Sequence, residues 1–411
     1  MEAIRLFRSL SSEQRNTFVA CFLGWTLDAL DFFLLTFVLT PVAHEFGRTI
    51  PQVAFAVTIT LLMRPVGAFI FGLFGDKFGR RIPLMADIIF FSVMELLTAW
   101  APNFTVFIIL RALFGIGMGG EWGLGASLTM ESLPVKARGL FSGILQQGYA
   151  FGYLLAAAVY WIVFPLFGWR GLFVAGACPA LLVIYIRAHV PESPVWERNR
   201  HRAKADAFHP GTFIKQHGML FLYAVLLMTA FNYMSHGTQD LYPTFLEKQR
   251  GFGVGQKSLM TMVYAVGAIC GGTVVGFLSQ RWGRRRCIIW CAICGILLIP
   301  AWVFAPGTAI LVAGGFLMQF MVQGAWGVVP VHLNELSPAL RRGTFPGLAY
   351  QFGNCAAAFA LQQQAWLSEH VFRTAGDQPN YALTMALVEL AVFLTIIFLA
   401  AIGREERGKE F

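Results

Sequence analysis

The sequence predicts an all-α membrane protein, with twelve transmembrane helices arranged as two pseudo-symmetric bundles of six. Three observations carry that prediction. Hydrophobic residues make up 57% of the 411 and charged residues only 13%, a balance far from that of soluble domains. The second half repeats the first at an offset of 204 positions: residues 72–81 read GLFGDKFGRR and residues 276–285 read GFLSQRWGRR. At the same offset Glu131, Pro134, Arg138 and Gly139 return as Glu335, Pro338, Arg342 and Gly343, and Gly120-x-Trp122-Gly123 returns as Gly324-x-Trp326-Gly327. Finally, the basic residues are sided, with 23 of the 31 Lys and Arg in segments that fall on one face of the bilayer.

The apolar segments lie near 18–41, 52–74, 82–100, 103–128, 139–165, 171–188, 218–246, 257–279, 287–304, 307–330, 344–367 and 381–402, each bounded by charge, Gly or Pro. About 20 residues at 1.5 Å rise cross the ~30 Å hydrocarbon core, and a helix satisfies its own backbone there. Span one follows a polar start, Met1–Thr17, and is too long for the core of a cleaved signal. Span two runs into the basic loop 72–81. Span four carries Gly115, Gly117, Gly119 and Gly120. No strand precedes them, so they read as a small-residue stripe for close helix contact and not as a dinucleotide loop. Span five holds a polar, aromatic patch of Gln146, Gln147, Tyr149 and Tyr153. After span six a basic stretch with Arg198, Arg200, Arg202 and Lys204 separates six spans from six. The chain therefore divides into a bundle over 1–190, a linker over 191–217 and a bundle over 218–411. Span nine opens with Cys287-x3-Cys291-x2-Cys294, the spacing of an iron–sulfur site. It is an uninterrupted apolar helix in which a cluster-holding loop cannot form, so these read as packing residues.

Both termini are expected on the cytoplasmic side, with the basic loops. The net charge of +9 then meets anionic headgroups and needs no nucleic acid to explain it. A multi-pass protein of the inner membrane, acting as a monomer, is the expectation. No metal site, cofactor or nucleophile–base pair is evident, so an enzyme is not expected.

GLFGDKFGRR resembles the loop between spans two and three of the major facilitator superfamily. Arg111-x3-Gly115-x-Gly117 resembles its span-four motif, and Pro191-Glu192-Ser193-Pro194 resembles its segment after span six. The resemblance covers the whole chain and implies a central cavity, between the bundles, that opens alternately to either side. Asp76 can sit at a helix end and pair with a basic residue. Gating is expected of Asp76, Arg80, Arg81, Arg111, Arg284 and Arg285, with simple anchoring of the loops as the competing reading for Arg80, Arg81, Arg284 and Arg285. Gln280 stands where the repeat would place a second Asp76, so the second half is expected to lack the charge latch. Residues 232–244, NYMSHGTQDLYPT, fit N-x-x-S/T-H-x-S/T-Q-D-x-x-x-T at Asn232, Ser235, His236, Thr238, Gln239, Asp240 and Thr244. That pattern resembles the lactate/pyruvate permease branch of the sialate:proton symporter family. It implies proton-coupled symport of a short monocarboxylate, with small carboxylate and protons as partners. Symport of sialic acid or another organic acid is the alternative, and a non-transporting membrane sensor is a third reading.

Ionisable groups in spans cost ~2.5–3.5 kcal/mol on insertion scales. This chain places Asp28 and Asp31 in span one, Arg64 in span two, Glu95 in span three, Arg111 and Glu121 in span four, and His236 and Asp240 in span seven. A residue serving fold symmetry should recur 204 positions away. Arg64 maps instead to Ala268, Glu121 to Ala325, Asp28 to Asn232, Asp31 to Ser235 and His236 to Phe32. Arg64 is the expected carboxylate anchor, because a guanidinium offers a flat fork of donors; a structural pair with Asp28 or Asp31 is the competing reading. Arg111 is expected to be structural or coupling, paired with an acid. His236 and Asp240 share a helix face with Asn232 and form either a proton relay or a static network. Pro243 should bend or stop that helix. Gln351 and Asn354 match a Gln-x-x-Asn pair of the family branch in span eleven, and Gln147 maps to Gln351, so the two are expected across the cavity from each other. Substrate contacts are thus expected from Arg64, Asn232, His236, Gln239, Gln147, Gln351 and Asn354, with proton coupling at Asp28, Asp31, His236, Asp240 and Glu121. Trp25, Trp100, Trp161, Trp169, Trp302 and Trp366 are expected as interface anchors.

Overall fold

Every apolar run forms helix in the computed structural model, which describes residues 2–205, 209–374 and 376–410. Spans one to four are Ser12–Phe37, Ile50–Phe78, Arg81–Thr98 and Phe104–Ser132. Spans one and two start in capping boxes, Ser11 with Gln14 and Thr49 with Gln52, which satisfy donors that a helix start leaves open. Span five is Arg138–Gln146 continued by Gly148–Ala175, which turns at Gly168. At φ +62° that glycine takes the left-handed conformation, so the chain reverses there and span six runs on to Ala180–His189. The second half repeats the plan. Span seven is Pro210–Gln239 followed by Tyr242–Lys248; spans eight and nine are Val254–Trp282 and Arg284–Val303. Spans ten and eleven are each broken once, as Thr308–Trp326 with Val329–Leu336 and Phe345–Ala357 with Ala360–His370. Span twelve is Tyr381–Ile402.

The repeated loop has a conformational reason. Gly79 and Gly283, 204 positions apart, close spans two and eight at φ +98° and +97°. Two expectations shift. Span seven begins at Pro210 and not at 218, because proline is well placed at a first helical position. The linker carries a helix of its own, Pro194–Ala205; the Arg202 and Lys204 side chains lie outside the described residues. The tryptophans divide as well. Trp100, Trp161 and Trp366 are exposed, as anchors should be, whereas Trp25, Trp169 and Trp302 are buried. Trp169 and Trp302 turn their N–H groups to Glu45 and Tyr264.

In the first half, one core packs Phe18, Cys21, Phe91 and Phe141 toward the basic loops, and another packs Leu30, Leu34, Phe107 and Phe173 toward the opposite end. On span one the two are separated by Asp28. A core of the second half, Ala224 to Ala400, takes in Trp25 and Trp122 from the first. The halves meet through spans two, four and five on one side and eight, ten and eleven on the other.

Candidate functional site

Span four fixes the backbone that carries Arg64. A Cβ at Gly119 would lie 1.9 Å from the Arg64 carbonyl oxygen, and one at Gly115 would lie 2.3 Å from that of Thr60. Only glycine permits that approach. Pro65, next in span two, has no N–H, which leaves the Leu61 carbonyl without its helical donor. The Cys355 thiol of span eleven donates to it at 3.7 Å. The Arg64 side chain is buried, with Nη2 3.7 Å from Oδ2 of the buried Asp28. That separation is an ion pair but too long for a hydrogen bond. Nε and Nη2 of Arg64, and both oxygens of Asp28, have no hydrogen-bond partner among the described residues. A buried charged group so placed is costly unless something pairs with it; a second carboxylate would do so.

Arg111 is the contrast. Its guanidinium donates to Glu95 and, at 3.2 Å, to Thr98. The rings of Phe114 and Phe173 cover it at 4.3 and 5.0 Å. Asp31 lies with Glu95 beside Gly176 of span six. Arg111 is thus hydrogen-bonded to an acid within this outer group, as Arg64 is not, although both Asp31 oxygens, Oε1 of Glu95 and Nε of Arg111 have no hydrogen-bond partner among the described residues.

Glu121 reaches from span four to span one, where its Oε1 fills the notch left by Gly24. Its charge acts on Asp28 and Arg64, and Asp87 of span three in turn interacts with Glu121 and Asp28. Tyr149, stacked on Trp25 at 5.6 Å, and Tyr350, against Trp122 at 4.6 Å, bring one phenol from each half into the electrostatic reach of Arg64.

On span seven His236 Nδ1 lies 3.0 Å from Asp240, and both side chains are about one-third exposed, at 35% and 34%. Asn354 of span eleven reaches the imidazole. The helix breaks at Asp240–Leu241, just before Pro243. Asn232 turns instead to its own helix, donating to the Met228 carbonyl at 2.8 Å. Gln239 bonds Ser235 and Gln319, and Gln319 bonds Thr238, so it is held within the second half. Gln351 is fully buried with neither amide atom partnered. Gln147 packs on Gly272 of span eight and donates to the Gly143 carbonyl.

At the basic end the halves are tied together. Asp76 accepts from Gly343 N at 2.7 Å, Thr344 N at 3.2 Å and Thr344 Oγ1 at 2.6 Å. Arg80 pairs with Asp76 and, through two nitrogens, with Glu131. Ser142 accepts from Val331 N and donates to the Gly327 carbonyl, and Ser127 donates to that of Arg342. Glu192 accepts from the backbone N–H groups of Arg80 and Arg81. Burial pushes its carboxyl above the ordinary range despite those bonds. In the second half Glu405 does the same for Arg284 and Arg285. Arg284 keeps its pair with Glu335, and Gln280 accepts from Arg284 instead of crossing to the other half. Among the described residues Gln280 makes no hydrogen bond to the first half like that of Asp76 to the second, and the ion pair within the second half remains.

The structure thus gathers Arg64, Asp28 and Glu121 in one group, Asp31 with Arg111 in a second, and His236, Asp240 and Asn354 in a third. Asp87, Gln319, Tyr350 and Glu389 are among the buried side chains that the sequence did not single out, the last lying in a notch at Gly237. Asp87 and Glu389 carried the same signal as Glu95, a lone acid in an apolar run, and neither recurs at the repeat offset, where Cys291 and Tyr185 stand.

Among known proteins, the chain is similar to a carboxylic acid transporter protein homolog of Saccharomyces cerevisiae, 31% identical over 97% of this chain and 69% of the relative. A probable 4-methylmuconolactone transporter of Cupriavidus pinatubonensis is 30% identical over 89% of this chain and 86% of its own. The sialic acid transporter NanX of Escherichia coli is 25% identical over 98% and 97%. The proton:xylose symporter XylE has the same fold, with a TM-score of 0.76 over 97% of this chain and 98% of that one at 18% identity. The family model of the Major Facilitator Superfamily matches residues 21–361 and 225–410, and with its repeated loop, twelve spans and central buried charges, this chain belongs to that superfamily.

Proposed function

We propose that this protein is a proton-coupled symporter of a short monocarboxylate, of the lactate or pyruvate type, that works by alternating access. The observation that carries the reading is Arg64: buried, 3.7 Å from Asp28, with Nε and Nη2 that no group among the described residues takes up. The names of the relatives, among them a carboxylic acid transporter protein homolog and a sialic acid transporter, support an organic acid as cargo.

The geometry supplies a coupling rule. A substrate carboxylate that takes the Arg64 fork removes the counter-ion of Asp28. Two anions then share one buried cation, which is costly in a low-dielectric site. A proton on Asp28 restores the balance, so substrate and proton load together. His236 and Asp240, partly exposed on the side away from the basic loops, are the entry relay, and Asn354 joins the imidazole to span eleven. Gln351 and Gln147 offer amides to the cargo without adding charge. With the basic loops on the cytoplasmic side of the inner membrane, the closed end faces the cytoplasm. A single chain suffices, with bundles 1–190 and 218–411 rocking about the linker.

The test is uptake of labelled lactate by proteoliposomes, with pyruvate, acetate and sialic acid as competitors. Lactate uptake suppressed by pyruvate and acetate supports the reading. No lactate movement with uptake of sialic acid would replace it by the organic-acid alternative, and no counterflow of any acid would favour a sensor.

A further inference from the structure

Asp87 of span three has no place in the substrate site, yet it is fully buried and neither of its oxygens is hydrogen-bonded. Its depth can be read by counting along helices whose ends are tied level. Arg80, at the start of span three, bonds Glu131 near the end of span four, and Gln14, at the start of span one, bonds the Ser132 carbonyl. Measured from those ties at 1.5 Å per residue, Asp87 lies about 10 Å into the bundle, Glu121 about 15 Å and Asp28 about 21 Å. The three acids therefore step down from the Arg64 pair toward the basic end. The members interact electrostatically, Asp28 with Glu121 and Asp87 with Glu121 first and with Asp28 second. Glu121 reaches span one at Gly24, one turn nearer the basic end than Asp28. The other titratable or charged groups around them include Cys21, which faces Glu121 from span one, Arg64 of span two, and Asp31, Tyr149 and Tyr350, which interact with Asp28. On span six Tyr185 turns away to Asn16.

We infer that Glu121 and Asp87 form the exit path of the coupling proton, inside the first bundle and apart from the route of the substrate between the bundles. The inference rests on the proton-symport reading. The proton leaves the Asp28 carboxyl for the Glu121 carboxylate, passes to Asp87 and is released to water at the basic end. Only O–H bonds are exchanged, and each acid returns to its starting state. Arg64 is then free of the cargo and regains Asp28 as its partner. A path buried within one bundle keeps the proton from leaking through the cavity while the cargo is still bound.

The test uses the whole chain in proteoliposomes, with a trapped pH dye, an inward proton gradient and external lactate. Wild type should acidify the lumen as lactate enters. In Asp87→Asn the ratio of net uptake to counterflow at equal pH should fall at least tenfold, because exchange returns without releasing a proton. Glu121→Gln should show the same split, and the double variant should be no worse than either single one, as expected of steps in series. Asp87→Glu, which keeps a carboxyl, should recover most of the lost ratio. If Asp87→Asn fails to reach the membrane folded, the Glu121→Gln split and the Asp87→Glu ratio decide. An unchanged ratio in the carboxyl-free variants, or equal loss of uptake and counterflow, would overturn the path. A wild type that moves lactate without acidifying the lumen would instead overturn the symport reading beneath it.

Discussion

Arg64 is held on three counts: glycine contacts from span four fix its backbone, Pro65 follows it, and Asp28 faces it at 3.7 Å. Arg64→Ala should abolish lactate binding to purified protein while leaving it folded in the membrane. Arg64→Lys should fall nearly as far, since an ammonium replaces the fork by a point charge. Unchanged affinity in Arg64→Ala, measured by calorimetry, would remove it as the anchor. A split is expected on span seven as well. His236→Ala or Asp240→Asn should reduce uphill uptake at least tenfold more than exchange at equal pH; equal losses would mark a static network. That Arg64 stands out from the scaffold was legible because a lone cation in an apolar run is costly and it is absent from the repeat, and the structure has it buried beside Asp28. That Arg111 pairs with an acid was expected, but that the acid is Glu95 was not legible, because Glu95 stands on another helix and pairing across helices leaves no spacing in the chain.

At the scale of elements, the small-residue stripe of span four was readable as a contact face, and it packs on spans two and three at Thr60, Arg64 and Phe91. Gly119→Leu should therefore cost more than an ordinary surface change, with loss of folded protein in a detergent thermal-melt assay, because the clash is with backbone and cannot relax by a rotamer change. The basic loops were readable too, but only half of their contacts. The sequence separates Asp76 from Gln280; only the structure has Asp76 crossing to Gly343 and Thr344. Breaking such a buried, charge-assisted set costs about 2 kcal/mol, roughly thirty-fold in a two-state equilibrium. Asp76→Asn should accordingly populate the form open at the basic end. Spin labels at the exposed Lys136 and Arg286, one on each half, would report it as a longer distance. An unchanged distribution would mean that the latch does not set the state.

For the molecule as a whole, twelve spans and two halves were legible because lipid leaves few options: apolar length, sided basic residues and a 204-residue repeat each constrain the fold independently. Which end is closed was not legible. It depends on a handful of hydrogen bonds between halves, small beside the burial that fixes the helices, and the same sequence must reach both states to work. The central claim is that one carboxylate travels with one proton, so that the loaded carrier moves no net charge. One uncompensated charge is worth ~2.3 kcal/mol per 100 mV, nearly fifty-fold in accumulation. The direct measurement is lactate accumulation in proteoliposomes under a pH gradient, and separately under a potassium-diffusion potential at fixed pH. The account predicts accumulation with the pH gradient and none with a negative-inside potential alone; accumulation driven by the potential alone would contradict it, since the carrier would then move at least two positive charges with each carboxylate.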